Sequence, residues 1–144
     1  MVKLIDKSAR KRRSEVGTTI VEATIVLPLM LMLTFGILEF GISFTRWNSL
    51  TNAVREGART GVVFRTPCTQ AAVDTLVQAT VSDYADSSGI DPTNITTTVT
   101  GACDGTGTQL TVIATVPHTY IAIGGLAGFA PDTSLSARTV MRNE

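Results

Sequence analysis

A carboxylate stands where an apolar segment has no ordinary use for one. Glu22 follows Gly17 by five positions and Thr18 by four, and the sixteen residues from Ala23 to Leu38 carry no charge. An acid just inside such a segment costs on the order of a few kcal/mol, so a specific partner is expected. Hydrolysis of the Gly17–Thr18 bond would create one. Glycine has no side chain to obstruct a peptidase at the scissile bond. The amino group freed at Thr18 would have a pKa of about 7.7–8.0 and be cationic or nearly so. Glu22 lies one helical turn along the same face. It can neutralise its own chain's amino terminus or a neighbour's when helices pack, because a lone buried charge is very unfavourable and a paired one is tolerable. The plainer alternative has Gly17 ending a frayed segment and Glu22 facing headgroups.

The second chemistry belongs to Cys68 and Cys103. Two cysteines in a small exported domain tend to pair, and closing a loop of this length stabilises by roughly 3–4 kcal/mol. Two cysteines do not make a zinc site, and the only histidine, His118, has no companions in the sequence. No metal, cofactor or catalytic constellation is expected. Asp83, Asp86 and Asp91 cluster without a base partner and read as solvent-facing. Ser87-Ser88-Gly89 reads as a turn, since a nucleophile elbow needs Gly-x-Ser-x-Gly. Asn94-Ile95-Thr96 has the form of a glycosylation acceptor but carries no expected role.

The elements that must position these residues are set by patterning. Residues 1–17 carry six basic side chains against Asp6 and Glu15, whereas the chain from Arg46 onward carries six basic and eight acidic. The positive-inside rule keeps such an N-terminus in the cytoplasm and sends the rest across the membrane. A nucleic-acid arm is the competing reading of the basic leader, but an apolar span comes at once and no other part is basic enough to track phosphates. Ile20 to Phe44 reads as one helix of 25 residues, roughly 37 Å at 1.5 Å per residue, enough to span a bilayer core of about 30 Å. Pro28 predicts a mild kink. A secretory signal would be shorter and end in small residues; Phe40-Gly41-Ile42-Ser43-Phe44 stays bulky. Glu39 has two readings, snorkelling to the outer interface near Trp47 or a buried contact between subunits. Basic leader, glycine, acid and apolar helix together have the layout of a class III signal, the leader a prepilin peptidase removes.

Beyond the span, Asn48 to Val62 continues as an amphipathic helix with Leu50, Val54, Ala58 and Gly61/Val62 in one stripe. Arg55 and Arg59 read as an anion site or, with Glu56 at i+3 from Arg59, as a solvated face. Gly57 and Gly61 permit close helix approach, which is thin evidence for dimerisation outside lipid. Thr66-Pro67 breaks the helix. A second helix is expected from Thr69 to about Tyr84, with Val73, Leu76, Val77 and Tyr84 on one side. Strands are expected at Asn94–Ala102, Thr108–Val116 and Ser134–Met141, with a turn at Asp104–Gly107 and Pro117 ending the first pair. Tyr120 to Ala130 mixes apolar residues with glycines and reads as a cap on the core or as a sticky loop for a partner. The fold class is therefore α+β: a long transmembrane helix continuing into a small head with helices on an antiparallel sheet of about three strands. The expected division is a leader at 1–17, a transmembrane helix at 18–46 and an extracytoplasmic head at 47–144.

The run from Gly17 through Glu22 and Pro28 to Leu31, followed by Gly36-Ile37-Leu38-Glu39-Phe40, resembles the TadE-like family of pilus-assembly proteins, pseudopilins of tight-adherence (Flp-type) systems. The segment Asn52 to Arg59, with its Gly57-Ala58-Arg59, resembles the stretch just after the anchor in that family, and Ala137 to Glu144 resembles its closing strand. The resemblance covers residues 14–62 well. It implies a small structural component of the bacterial inner membrane that helps build a pilus or secretion filament. The implied partners are a prepilin peptidase, other pilins, pilus-assembly membrane proteins and the lipid bilayer. Ala23 departs from the aromatic residue usual after the glutamate in Flp-type major pilins, and the chain is far longer than those. This argues for a minor pilin or pseudopilin. The alternative function is a single-pass, membrane-anchored binding module with no filament role.

Overall fold

The computed structural model describes residues 7–63, 67–120 and 133–143, with side chains from Gly17 onward. Helix α1 (Lys7–Gly61) runs 55 residues with Pro28 inside it. The two expected helical stretches join without a break at Thr45–Trp47, where nothing in the sequence stops a helix. Pro28 removes one backbone donor. Thr24 and Thr34 turn their hydroxyls back onto the carbonyls of Ile20 and Met30, at 2.7 and 2.8 Å. The chain divides between Leu38 and Glu39 into two units. In the first, the residues from Gly17 to Leu38 are exposed apart from a half-buried Gly36. The stretch is long and apolar enough to cross a membrane.

The second unit holds the end of α1, helix α2 (Gln70–Ser87), a 3-10 turn (Pro92–Asn94) and three strands. The strands are β1 (Thr96–Thr100), β2 (Gln109–His118) and β3 (Thr133–Arg142), antiparallel in the order β1-β2-β3. The class is α+β, as the patterning predicts. Leu50, Val54 and Ala58 of α1 and Val73, Val77, Val81 and Ala85 of α2 recur every four residues and are buried. They meet the alternating Leu110, Val112, Ala114 and Val116 of β2 in one core. The register sets Val99 opposite Val112 and Ala114 opposite Ala137. Thr69 caps α2, accepting the Ala72 N–H at 3.4 Å.

Gly57 and Gly61 explain how the layers close. A methyl group at Gly57 would come within 2.6 Å of Val81 Cγ2, and one at Gly61 within 2.8 Å of Leu110 Cδ2 and 2.9 Å of Val77 Cγ2. The pair serves packing of α1 on α2 and β2 within one chain, not the dimer contact its spacing suggests in lipid.

Several boundaries differ from the patterning. Helix α2 runs three residues past Tyr84, and Ala85 takes the inward place while Tyr84 is exposed. Leu76 is only half-buried. Strand β1 stops at Thr100, so Cys103 lies in the loop and not at a strand end. Strand β2 passes through Pro117, which pairs with Ser134. Pro117 has no partner in β1, whose register with β2 ends at Thr115, so its missing N–H costs that edge no ladder bond. The expected glycine-rich segment falls mostly on residues 121–132, outside the described residues.

Candidate functional site

Gly17, Thr18 and Glu22 all lie on exposed positions of α1, with Thr18 and Glu22 one turn apart on a common face. Nothing lies within 4 Å of where a Cβ at Gly17 would sit. A glycine inside a helix weakens it by about 1 kcal/mol relative to alanine, which eases local unwinding at Gly17.

Cys68 and Cys103 are joined by a disulfide, with Cα atoms 5.6 Å apart and a sequence separation of 35. The bond ties the N-terminal end of α2 to the β1–β2 loop. That loop also carries left-handed backbone at Gly101, Cys103, Gly105 and Gly107. Asn143, just past β3, locks it further: its side-chain amide donates to the Gly101 carbonyl at 2.8 Å and to Thr108 Oγ1 at 2.7 Å.

A polar cluster that sequence reasoning missed sits in the second unit. Glu39 is only 7 % exposed and His118 only 3 %, so Glu39 does not snorkel to solvent. It is buried within its own chain, an outcome neither sequence reading anticipated. Ser43 Oγ lies 2.7 Å from His118 Nε2 and 2.8 Å from the Glu39 carbonyl oxygen. Arg46 Nη1 lies 3.4 Å from His118 Nδ1, and Tyr120 meets the imidazole edge-on at 4.8 Å between centroids. The donor inventory places the protons. Arginine only donates, so Nδ1 accepts from Arg46 and the imidazole is neutral, with its hydrogen on Nε2. That N–H donates to Ser43 Oγ, and the Ser43 hydroxyl donates to the Glu39 carbonyl. A serine beside a histidine suggests a nucleophile, but here the imidazole gives a hydrogen bond where a general base must take a proton. Burial holds the His118 pKa below the usual histidine value, Arg46 adds to that, and Glu39 opposes it.

The other charged residues do less. Arg59 pairs with Glu56 at 2.6 Å on an exposed helix face, which lowers the Glu56 pKa, chiefly through the Arg59 hydrogen bond. This is the solvated-face reading, and such pairs contribute little. Asp91 accepts from the Thr93 hydroxyl and N–H at 2.7 and 2.9 Å. Those bonds hold its carboxyl below the usual range and shape the 3-10 turn. No group of three or more metal-ligating side chains occurs among the described residues.

On Glu39's face α1 is buried, while Phe40, Ile42, Phe44 and Trp47 are exposed. Phe40 stacks on Phe44 at 6.3 Å, and Phe44 meets Trp47 at 6.1 Å. Trp47 Nε1 donates to the Ser136 carbonyl of β3 at 3.2 Å. Trp47, an aromatic side chain with one polar end, suits a membrane–water boundary.

No curated protein and no solved structure matches this chain. Residues 17–59, which begin at the glycine and contain Glu22, Glu39, Ser43, Arg46 and Gly57, match the family model described as TadE-like protein, the family that the same residues resemble.

Proposed function

We propose that this chain is a minor pilin or pseudopilin that takes part in assembling a tight-adherence (Flp-type) pilus or a related secretion filament. The observation that carries it is where the TadE-like match starts: at Gly17, with Glu22 inside it. In this reading a prepilin peptidase removes residues 1–17 and frees the amino group of Thr18. The apolar helix then holds the chain as a single pass in the bacterial inner membrane, N-terminus in the cytoplasm and second unit outside. The 21 residues from Thr18 to Leu38 span about 31 Å at 1.5 Å per residue, close to the bilayer core. The Phe40–Phe44–Trp47 ladder then falls at the outer boundary. The role is structural, and its partners are the peptidase, other pilins and assembly proteins of the membrane.

Mass spectrometry of the mature N-terminus tests the processing step. A chain beginning at Thr18 is expected, and an intact Met1 in cells that contain the peptidase would sink it. Glu22→Ala tests the assembly step. Leaving an ammonium without its partner in a packed helical bundle costs about 3–5 kcal/mol, more than a hundredfold in assembly. Membrane insertion should be unchanged while incorporation into filaments, read by co-purification and microscopy, collapses. An unimpaired Glu22→Ala variant would instead favour an anchored binding module.

A further inference from the structure

His118 is the most buried titratable side chain among the described residues, and neither processing nor assembly uses it. Its two nitrogens are both engaged, and only one protonation state satisfies both. The charged and titratable groups around the imidazole are Glu39 and Arg46 from α1 and Tyr120 just past β2. From β3 the ladder sets Thr133 opposite, which is uncharged. With Nδ1 bare, the ring accepts from Arg46 and donates through Nε2 to Ser43, whose own hydrogen goes to the Glu39 carbonyl. The Nε2 hydrogen, the Ser43 hydroxyl and the Arg46 Nη1 donor then each have an acceptor. A proton added at Nδ1 removes that acceptor and sets an imidazolium against a guanidinium 3.4 Å away, two donors and two like charges. The Glu39 carboxylate offers partial relief by attracting the cation. The closed arrangement, however, no longer offers Nδ1 as an acceptor to Arg46, which lies on an exposed position from which its guanidinium can swing into water.

We propose that Glu39, Ser43, Arg46 and His118 form a latch between α1 and the end of β2 that closes only around a neutral imidazole, and that acid around the second unit opens it. The latch stands whether or not the pilus assignment does. Its consequence is local. β2 ends at His118, β3 begins at Thr133, and the two pair there. Opening therefore frees one end of the β2–β3 ladder from the helix while the core built on Leu110 and Val112 stays closed. Linkage gives the sign. Folding favours the neutral ring, so the latch contributes full stability above the unfolded histidine value of about 6.5. That contribution is lost as pH falls from there through the depressed folded value.

The chain reports on itself. It has one histidine and one tryptophan, and Trp47 sits one residue from Arg46 with its indole bonded to β3 at Ser136. In the full chain reconstituted in neutral detergent micelles, two titrations from pH 8 to pH 5 test the latch. Imidazole NMR should show one histidine, neutral with its proton on Nε2 at pH 8, that titrates below the ordinary value. Trp47 emission should shift to the red with the same midpoint. His118→Gln keeps a neutral donor and acceptor and should lose the fluorescence transition. Arg46→Gln removes the neighbouring cation and should move the imidazole midpoint upward. An imidazole titrating at or above the ordinary value would overturn the latch. So would a flat Trp47 signal through the imidazole transition, or a fluorescence transition that survives in His118→Gln. Because the imidazole titration is read on the native chain, a variant that misfolds leaves the test intact.

Discussion

Replacing both Cys68 and Cys103 with serine is expected to lower the stability of the Glu39–Glu144 unit by about 3–4 kcal/mol. The bond closes a loop of 35 positions. In the chain-entropy treatment a cross-link of that span removes this much freedom from the unfolded ensemble. Small domains have only about 5–15 kcal/mol in total, so the loss is a large share. Denaturant unfolding of the full chain in micelles, monitored by Trp47, measures it. The midpoint should fall sharply in the double variant, and reduction of the native chain should reproduce the shift. Equal midpoints with and without the bond would show that α2 and the β1–β2 loop are held by packing alone.

Gly101→Ala is expected to be nearly as damaging, and Gly89→Ala shows why. Both glycines have left-handed backbone, φ +85° and +76°. At Gly89 an added methyl meets nothing within 4 Å, so only backbone strain of about 1–2 kcal/mol applies. At Gly101 the same methyl runs into the backbone carbonyl of Gln109, the first residue of β2. A strand backbone cannot turn aside as a side chain can. Relief requires opening the loop, which also breaks the Asn143 bond to the Gly101 carbonyl. The expected cost is about 3 kcal/mol or more, in the range of a core collision added to the strain. Parallel unfolding curves of the two variants check the difference. Equal losses would show that the loop yields freely at Gly101.

Sequence patterning reveals contacts of short range and misses those of long range. The buried stripes of α1 and α2 and the alternation of β2 are local, so Leu50, Val54, Val73, Val77 and Leu110 were legible. Boundary errors came from local stop signals that tertiary pairing overrode. Pro117 ends a strand in isolation, but β3 supplies Ser134 opposite it. Tyr84 looks like a core residue by size, yet the four-residue repeat from Val73 through Val81 sends Ala85 inward. The Gly57–Gly61 spacing was visible, but its partners Val77, Val81 and Leu110 lie far along the chain. The polar cluster was the least legible feature, since Ser43 and His118 are 75 positions apart. A serine and a glutamate near the end of an apolar run gave no hint of a histidine on a distant strand. For the candidate processing site the reverse holds, because Gly17, Thr18 and Glu22 are neighbours in sequence and needed no folding to be seen together.

The threonine hydroxyls of the exposed apolar stretch have one more effect. Thr24 and Thr34 spend their only hydrogen on their own helix, so neither offers a donor to a passing helix in the bilayer. Glu22 is then the strongest polar handle between Thr24 and the leader. In the membrane setting proposed above, two untrimmed anchors that drift together would have only van der Waals contact and Glu22 to hold them. In the proposed pathway, trimming would supply Glu22 with a complementary charge at the head of the helix and so act as a timer on lateral cohesion.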